Sequence, residues 1–172
     1  MKLSQNDFEF YTCSDKDLDN ILNLQSCVFA SLDNHNLLRR NTKAMFLECV
    51  KEPNITIGVK HNNKLIALGI LYFPKVLYED LSGLLINVDI ANKKCANYKL
   101  CMVKRNYRGN NLQYILGTKL EAYAKEQGVD ILCATVHPQN TYSKNNMIKL
   151  GYIHNTTIEK YNNIRDLFYK TI

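Results

Sequence analysis

Hydrophobic positions along the chain follow two periods, and these periods predict where strands and helices lie. Short apolar or alternating runs predict strands at 8–12, 55–60, 64–73, 98–103, 131–136, 152–157 and 165–172. Apolar residues three and four positions apart predict helices at 15–29, 42–52, 112–127 and 141–150. The stretch 74–89 has an apolar centre between polar flanks, so we expect a variable loop or a short strand there.

The residues between these segments support the boundaries. Asn tolerates positive φ, so His61-Asn-Asn63 predicts a hairpin turn between two strands. Pro53 stops the second helix, and Gly128 and Gly151 stand where left-handed C-terminal caps belong. The order β-α-α-β-β-β-α-β-α-β-β predicts a mixed α/β domain, and the absence of linkers and repeats predicts a single domain over 1–172.

One stretch combines a strand, a glycine-bearing turn and a helix start. Residues 100–103 are apolar, 104–111 are polar and include Gly109, and a helical pattern begins at Leu112. In such an arrangement the backbone N–H groups of the turn converge on an anion, and the helix dipole adds partial positive charge. Arg105 and Arg108 supply formal charge beside it. The stretch therefore predicts a phosphate-binding site.

Composition narrows the class of protein without selecting a function. The chain is 46% hydrophobic and 22% charged, as is common for a soluble globular domain. No apolar run has the length of a membrane span, and the N-terminus lacks the apolar core of a signal peptide, so we expect a cytoplasmic protein. The net charge of +6 suits an anionic partner, but no basic block or aromatic-interleaved stripe favours nucleic acid. The six cysteines contain no CxxC pair, which predicts reduced thiols and no metal site.

Two segments together resemble the GNAT superfamily of acetyl-CoA-dependent N-acetyltransferases. Val103-Lys-Arg-Asn-Tyr-Arg-Gly-Asn-Asn-Leu112 is similar to the family's strand and Tyr-Arg-Gly-x-Gly loop. Asn140-Thr-Tyr-Ser-Lys-Asn-Asn-Met-Ile-Lys-Leu-Gly-Tyr152 is similar to the later helix that an Asn opens and that ends in Leu-Gly-Phe or Leu-Gly-Tyr. The resemblance implies a central mixed, mostly antiparallel sheet flanked by helices.

The resemblance also implies a cofactor, acetyl-CoA, and the residues that hold it. Backbone amides of the 108–112 loop would hold the pyrophosphate, the 101–103 strand would pair with the pantetheine arm, and Asn140 would hydrogen-bond that arm. Ser143 and Lys144 would reach the outer phosphates. The implied set is Cys101, Met102, Val103, Arg108, Gly109, Asn110, Asn111, Leu112, Asn140, Ser143 and Lys144.

Three positions depart from the family pattern. Asn111 replaces a glycine, and Asn is the non-glycine residue that best tolerates positive φ. Gln113 replaces a small residue, and we expect its side chain to point outward from the first helical turn. Met147 occupies the place of a tyrosine that protonates the leaving thiolate in many members. A thiol pKa near 8.5 makes the thiolate a tolerable leaving group, so loss of this acid would slow the reaction rather than abolish it.

The resemblance implies direct attack by an amine on the thioester carbonyl, with a small molecule or a peptide as the acceptor. A base must remove the amine proton directly or through water. His137, Glu48, Glu79, Asp80 and Asp89 are the candidate bases. Tyr142 is a candidate acid, but it lies five residues before Met147 and on a different helix face, so the family role does not transfer to it directly.

The alternative function is a non-catalytic acyl-CoA-binding or regulatory module on the same fold. A sheet edge near the C-terminus would allow a homodimer.

Overall fold

The computed structural model describes residues 2–172, in which eleven main helices and strands follow the predicted order. The strands are β1 (Glu9–Thr12), β2 (Ile55–His61), β3 (Lys64–Tyr72), β4 (Cys95–Val103), β5 (Ile131–Val136), β6 (Ile153–Lys160) and β7 (Asn163–Thr171). The helices are α1 (Leu18–Ala30), α2 (Lys43–Cys49), α3 (Leu112–Glu126) and α4 (Thr141–Lys149).

The connection between β3 and β4 is the main difference from the predicted elements. Residues 73–94 form no strand, and two short 3-10 turns, Leu77–Glu79 and Ser82–Leu84, lie within them. β4 begins at Cys95, three residues earlier than its hydrophobic pattern suggested, because the polar residues Asn97 and Lys99 lie within it and obscure the alternation. The loop expectation for this stretch is confirmed.

All seven strands form one sheet in the order β1-β2-β3-β4-β5-β7-β6, and every neighbouring pair is antiparallel except β4 and β5. The parallel pairing of β4 with β5 involves only Cys95–Asn97 and Ile131–Cys133. Beyond Asn97 the two strands have no register with each other, although both continue for several residues. The sheet therefore opens into a gap between the later halves of β4 and β5.

A β-bulge lies at the start of this gap. Ile70 of β3 is paired with Leu100, whereas the next residue, Leu71, is paired with Tyr98, which leaves Lys99 as an extra residue in β4. A bulge changes which side chains face each side of a strand. Before it Tyr98 packs with the α3 side of the sheet, and after it Leu100 packs with the α1 side.

Helices cover both faces of the sheet. Leu116 and Leu120 of α3 and Met147 of α4 belong to one buried cluster, while Ile21 of α1 and Phe46 of α2 belong to another on the opposite face. Buried apolar side chains on helices at this spacing stabilise the fold by about 1.5–3 kcal/mol each. The N-terminal turns of α3 and α4, which follow β4 and β5, lie at the end of the sheet where the gap opens.

A buried carboxylate fixes the β3–β4 connection against the sheet. Glu79 accepts two hydrogen bonds from Arg39, at 2.8 and 3.1 Å, and one from Lys99 at 2.9 Å. Asn97 Nδ2 donates to the Glu79 backbone oxygen at 2.6 Å. Burial alone would raise the pKa of Glu79, but the hydrogen bonds from Arg39 and Lys99 outweigh it and lower the pKa to about 2.

Replacing this carboxylate by an amide is expected to destabilise the protein in a pH-dependent way. The folded-state pKa of Glu79 lies below its ordinary 4.5, so its contribution is present above pH 4.5 and is lost as pH falls towards 2. Glu79→Gln should lower the free energy of unfolding at pH 7 on the order of 3 kcal/mol. Urea unfolding of the wild type and the variant at pH 7 and pH 3 measures their free energies of unfolding. The difference between the two proteins should be smaller at pH 3.

Glu159→Gln is the matched control, because Glu159 is exposed and forms no ion pair with another described residue. It should change the free energy of unfolding by less than about 0.5 kcal/mol. Equal effects of the two substitutions would contradict the tethering role of Glu79.

Candidate active site

A cavity fills the gap between β4 and β5 and crosses the sheet from one face to the other. Its walls within the sheet are residues 97–103 of β4 and 134–136 of β5. On the α3–α4 face it is bordered by Arg108, Gln113, Asn140, Tyr142, Ser143 and Met147. On the α1–α2 face it is bordered by Val28, Leu32, Leu37, Leu38, Arg39, Asn41, Leu81, Tyr161 and Arg165. A molecule that enters from one face can therefore meet a molecule that enters from the other.

The α3 end of the cavity has the features of an anion site. Gly109 has φ of 83° and Asn111 has φ of 60°, so the loop reverses direction immediately before α3 begins. Asn111 occupies the N-cap position but makes no side-chain capping hydrogen bond. The first N–H groups of a helix have no intrahelical partner, and no side chain in the described part of the chain caps those of α3. They remain available to a phosphate, next to the exposed Arg108.

The two loop asparagines support the loop rather than contact the cavity. Asn110 Oδ1 accepts a hydrogen bond from the Leu3 backbone N–H at 2.8 Å, and its Nδ2 donates to the Tyr107 carbonyl at 3.0 Å. Asn111 Oδ1 accepts from Lys149 Nζ at 3.1 Å. Asn111 takes the left-handed conformation that its substitution for glycine requires, as the sequence predicts.

The first turns of α3 and α4 are joined through Gln113. Its Nε2 donates to Ser143 Oγ at 3.1 Å, and its Oε1 accepts from Asn146 Nδ2 at 3.3 Å. The expectation that Gln113 points outward was wrong, because α4 lies close enough to satisfy both ends of its amide. Asn140 caps α4 by accepting from the Ser143 backbone N–H at 3.2 Å, which leaves its Nδ2 without a partner among residues 2–172.

Lys144 is placed differently from the other residues expected at the phosphates. Its Nζ lies 2.7 Å from Asp166 Oδ2 and does not line the cavity. Hydrogen bonds from Lys144 and Thr157 outweigh burial and lower the pKa of Asp166, so the carboxylate is ionised and holds the lysine. This ion pair connects α4 to β7 and takes the ammonium away from the anion site.

The β4 residues expected along the cofactor face different sides of the sheet. Met102 is buried in the α1 cluster, while Cys101 and Val103 pack against the α3 cluster, and Leu112 is a core residue of α3. All three β4 residues line the cavity, where their backbone can pair with a ligand as a strand would. Burial raises the pKa of the Cys101 thiol to about 12, which disfavours a nucleophilic role.

His137 lies directly after β5 but outside the lining of the cavity. Its side chain is buried, and Nδ1 accepts a hydrogen bond from the Gln139 backbone N–H at 3.2 Å. Burial lowers the pKa of His137, and the Arg165 guanidinium lowers it further, against the opposing effects of Asp166 and Asn163. The imidazole is neutral at physiological pH, and its geometry favours a structural role in the turn.

The other catalytic candidates are also separated from the centre of the cavity. Glu48 of α2 is ion-paired with Lys75 at 3.1 Å and does not line the cavity. Tyr142 lies at the cavity's outer border, with 86% of its surface exposed. Glu79 is fixed by its partners with a pKa of about 2, so it is a weak base. Asp80 accepts hydrogen bonds from Ser82, and Asp89 is exposed.

The sequence did not indicate the cationic border on the α1–α2 face. Arg39, Lys99 and Arg165 come from a loop, from β4 and from β7, and they line the same cavity. The Arg39 guanidinium stacks on the Tyr161 ring, 3.6 Å from its centroid. No local pattern connects positions so far apart, and only the folded sheet brings them together. In residues 2–172, no cluster of three or more His, Cys, Asp or Glu side chains forms a metal site.

Comparison with known proteins identifies the family. A model of the acetyltransferase (GNAT) family matches residues 18–152. No curated protein sequence matches the chain.

Solved structures share the fold at low sequence identity. The ribosomal-protein-S18-alanine N-acetyltransferase from Escherichia coli has a TM-score of 0.71 and 16% identity, over 96% of this chain and 94% of its own. The PaiA N-acetyltransferase from Thermoplasma acidophilum, in complex with coenzyme A, has a TM-score of 0.69 and 14% identity, over 96% and 99%. An N-acetyltransferase from Staphylococcus aureus Mu50 has a TM-score of 0.68 and 16% identity, over 96% and 97%.

The family match covers most of the chain and includes the anion site of α3, the gap between β4 and β5, and the Asn140 cap of α4. The chain belongs to the GNAT family of acetyltransferases.

Proposed function

We propose that the protein transfers the acetyl group of acetyl-CoA to an amine, by direct attack of the amine on the thioester. The observation that carries this proposal is the cavity that crosses the sheet, with an anion site on one face and a border on the other face that combines leucine side chains with Arg39 and Arg165. A relative of the same fold, from Thermoplasma acidophilum, was solved with coenzyme A. The family match supports the same cosubstrate for this chain.

The residues present fit a coenzyme A molecule. The uncapped N-terminus of α3 and Arg108 suit its phosphates. After Asn97, the edge of β4 that faces β5 has no partner strand among residues 2–172. Its free backbone groups therefore suit the amides of the pantetheine arm. Asn140 Nδ2 is a further donor at the cavity border. When bound, the thioester supplies an activated acetyl group.

The β4 edge would also stabilise the oxyanion that forms during attack. A backbone N–H that is fixed before the reaction costs no reorganisation, and one such donor contributes about 3 kcal/mol in enzymes that use it. The bulge at Lys99 in the β3–β4 ladder lies just after the last β4–β5 pair and changes which backbone groups of β4 face β3 and which face the gap. We therefore assign the donor to the backbone between Lys99 and Val103.

Removal of the amine proton would not use a cavity side chain. Among the residues that line the cavity there is no carboxylate and no histidine. Arg39 and Lys99 lower the pKa of an amine placed beside them, because their combined charge exceeds that of Glu79 and like charges disfavour the protonated amine. The amine nitrogen bonds to the carbonyl carbon and gives the tetrahedral oxyanion, and the amine proton leaves through water. The C–S bond then breaks, and the released thiolate takes a proton from solvent.

Met147 is consistent with a solvent proton for the leaving thiolate. It lines the cavity from α4 with 3% of its surface exposed, where it packs as a core residue. A methionine has no proton to donate. Because the thiol of coenzyme A should have a pKa near 8.5, its thiolate can leave without a dedicated acid.

Localisation and assembly complete the proposal. None of the helices in residues 2–172 has the length and hydrophobicity to cross a bilayer. A cytoplasmic location remains the expectation from the sequence. The outer edge of β6 has no partner strand among the same residues, and a homodimer would pair through this edge.

A second candidate function is an acyl-CoA-binding module without turnover. Met147 in place of a proton donor and the absence of a base from the cavity lining favour it. Thiol release from acetyl-CoA over a panel of amines, amino acids and peptides distinguishes the two. Tight acetyl-CoA binding with no amine-dependent thiol release would establish the module and reject the transferase.

The cofactor assignment predicts a strong effect of charge reversal at Arg108. Arg108→Glu places a carboxylate beside the anion site and should weaken acetyl-CoA binding by at least about tenfold, because it replaces an attraction with a repulsion. Isothermal calorimetry of the wild type and the variant measures the dissociation constants. No binding to the wild type at sub-millimolar concentration would reject the assignment.

Arg105→Glu is the matched control for this prediction. Arg105 lies in the same loop and is exposed, but it does not line the cavity. Its reversal changes the net charge equally and should weaken binding by less than about threefold, because exposed charges are screened. Equal losses in the two variants would assign the effect to the general field of the protein rather than to the α3 site.

The absence of a cavity base predicts a simple pH profile. The value of kcat/KM should rise with pH until the acceptor amine is deprotonated, without a step near pH 6.5. His137→Gln should leave the shape of this profile unchanged, because His137 is buried beside the cavity and its pKa is lowered. Initial rates between pH 5.5 and 9.5 measure it. A step near neutral pH that disappears in the variant would instead identify His137 as the base.

A further inference from the structure

One cation at the α1–α2 end of the cavity has no partner. Arg165 of β7 has only 6% of its surface exposed, and its Nε is buried without a hydrogen-bond partner. Within residues 2–172, no carboxylate lies within ion-pair distance of its guanidinium. The side chain nevertheless lines the cavity. A buried guanidinium without a partner is rare, because removing the charge from water costs several kcal/mol.

The neighbouring carboxylates do not neutralise this charge. Asp166 is adjacent in sequence, but alternation along β7 directs it to the opposite face, where Lys144 and Thr157 hold it. Glu79 is the other buried carboxylate among the described residues, and Arg39 and Lys99 together already exceed its charge. Burial and the Arg39 charge lower the pKa of Arg165. Three cations, Arg39, Lys99 and Arg165, and one carboxylate, Glu79, thus leave the α1–α2 end of the cavity with a net positive charge of two.

Arg165 is also reachable from solvent on this face. A shallow, open depression shares Leu38, Arg39, Tyr161 and Arg165 with the main cavity, and no carboxylate lines either of them. The β6–β7 turn places Tyr161 there by an uncommon route, since both Tyr161 and Asn162 have φ of 57°. A ligand that enters through this depression passes the Tyr161 ring before it reaches the guanidinium and the gap between β4 and β5.

We propose that the acetyl acceptor is an amine that also carries a carboxylate, and that Arg165 binds this carboxylate. The inference rests on the proposed acetyl transfer and names the acceptor class for the same site. A guanidinium presents its N–H groups in a planar fork that matches the two oxygens of a carboxylate. Binding would supply the charge and hydrogen bonds that Arg165 lacks in the unliganded protein.

The same charges disfavour other acceptors. A polyamine or a lysine-rich peptide would bring further positive charge to a cavity that already has an excess, at a cost that no lining carboxylate offsets. An amino acid brings one negative charge, which Arg165 can pair, and one amine. A small amino-carboxylate therefore fits the α1–α2 end better than a cationic substrate does.

Matched acceptor pairs test this inference on the full chain. Glycine, alanine and phenylalanine are each compared with their primary amides by thiol release from acetyl-CoA, and binding to the protein saturated with coenzyme A is followed by calorimetry. The amides are the more reactive amines, because loss of the carboxylate charge lowers the pKa of the amine. We expect the acids to be preferred in kcat/KM and in affinity by about 30-fold or more, as is typical for a buried charge pair.

Substitution of Arg165 should remove this preference. Arg165→Gln is expected to reduce kcat/KM for the acids by about 30-fold or more and to leave that for the amides within about threefold. Arg165→Lys keeps the charge without the fork and should lie between the two. Acetyl-CoA affinity and the melting temperature should not fall, because the guanidinium has no partner to lose. Arg105→Gln, which removes an equal charge from an exposed side chain that lines neither the cavity nor the depression, should retain the preference.

Thiol release, which measures turnover, and calorimetry, which measures binding, together separate this inference from the proposed function. Preference for amides or polyamines in wild-type turnover and binding would overturn the carboxylate site while leaving acetyl transfer intact. Arg165-dependent binding of the acids without any turnover would support the carboxylate site and reject the transferase. Equal binding of acids and amides, or an unchanged preference in Arg165→Gln, would overturn the assignment of Arg165.

Discussion

The short parallel pairing of β4 with β5 is the constraint on which the site depends. Three residue pairs hold the strands together, from Cys95–Asn97 to Ile131–Cys133, and both strands then continue without pairing. The unpaired backbone of a separated strand would be costly if it were buried without partners. Here that backbone faces a cavity, so the polar groups released by the sheet become the groups that can recognise a ligand.

The charged side chains on the α1 side are positioned by the same gap between β4 and β5. Lys99 is the bulged residue of β4 and reaches Glu79 on the α1 side, while Arg39 reaches the same carboxylate from a loop. The pairing stabilises the β3–β4 connection and engages the Glu79 carboxylate, and no carboxylate among the described residues that line the cavity offsets the charge of Arg165. The carboxylate site proposed at Arg165 would therefore lie beside a structural ion pair.

The fold and the cofactor side were largely readable from the sequence, whereas the acceptor side was not. Asn111 and Asn140 lie in contiguous segments whose local patterns of turn, cap and helix determine their conformation. Arg39 and Arg165 are separated by most of the chain, and their proximity depends on the sheet order. The sequence did not reveal the bulge at Lys99, because a bulge shifts the alternation of side chains along the strand by only one residue. His137 follows a central strand as expected, but the local turn directs its Nδ1 to the backbone.

The hydrogen bond from the Leu3 backbone to Asn110 has a practical consequence for the handling of the protein. It ties residues near the N-terminus to the loop that precedes α3, across more than a hundred positions of sequence. An affinity tag fused before Met1 would lie two residues from Leu3, whose hydrogen bond supports the loop before α3. The C-terminus lies elsewhere, where the Ile172 backbone N–H donates to the Asp130 carbonyl at 2.9 Å beside the paired ends of β4 and β5. Tags for ligand-affinity work therefore belong at the C-terminus.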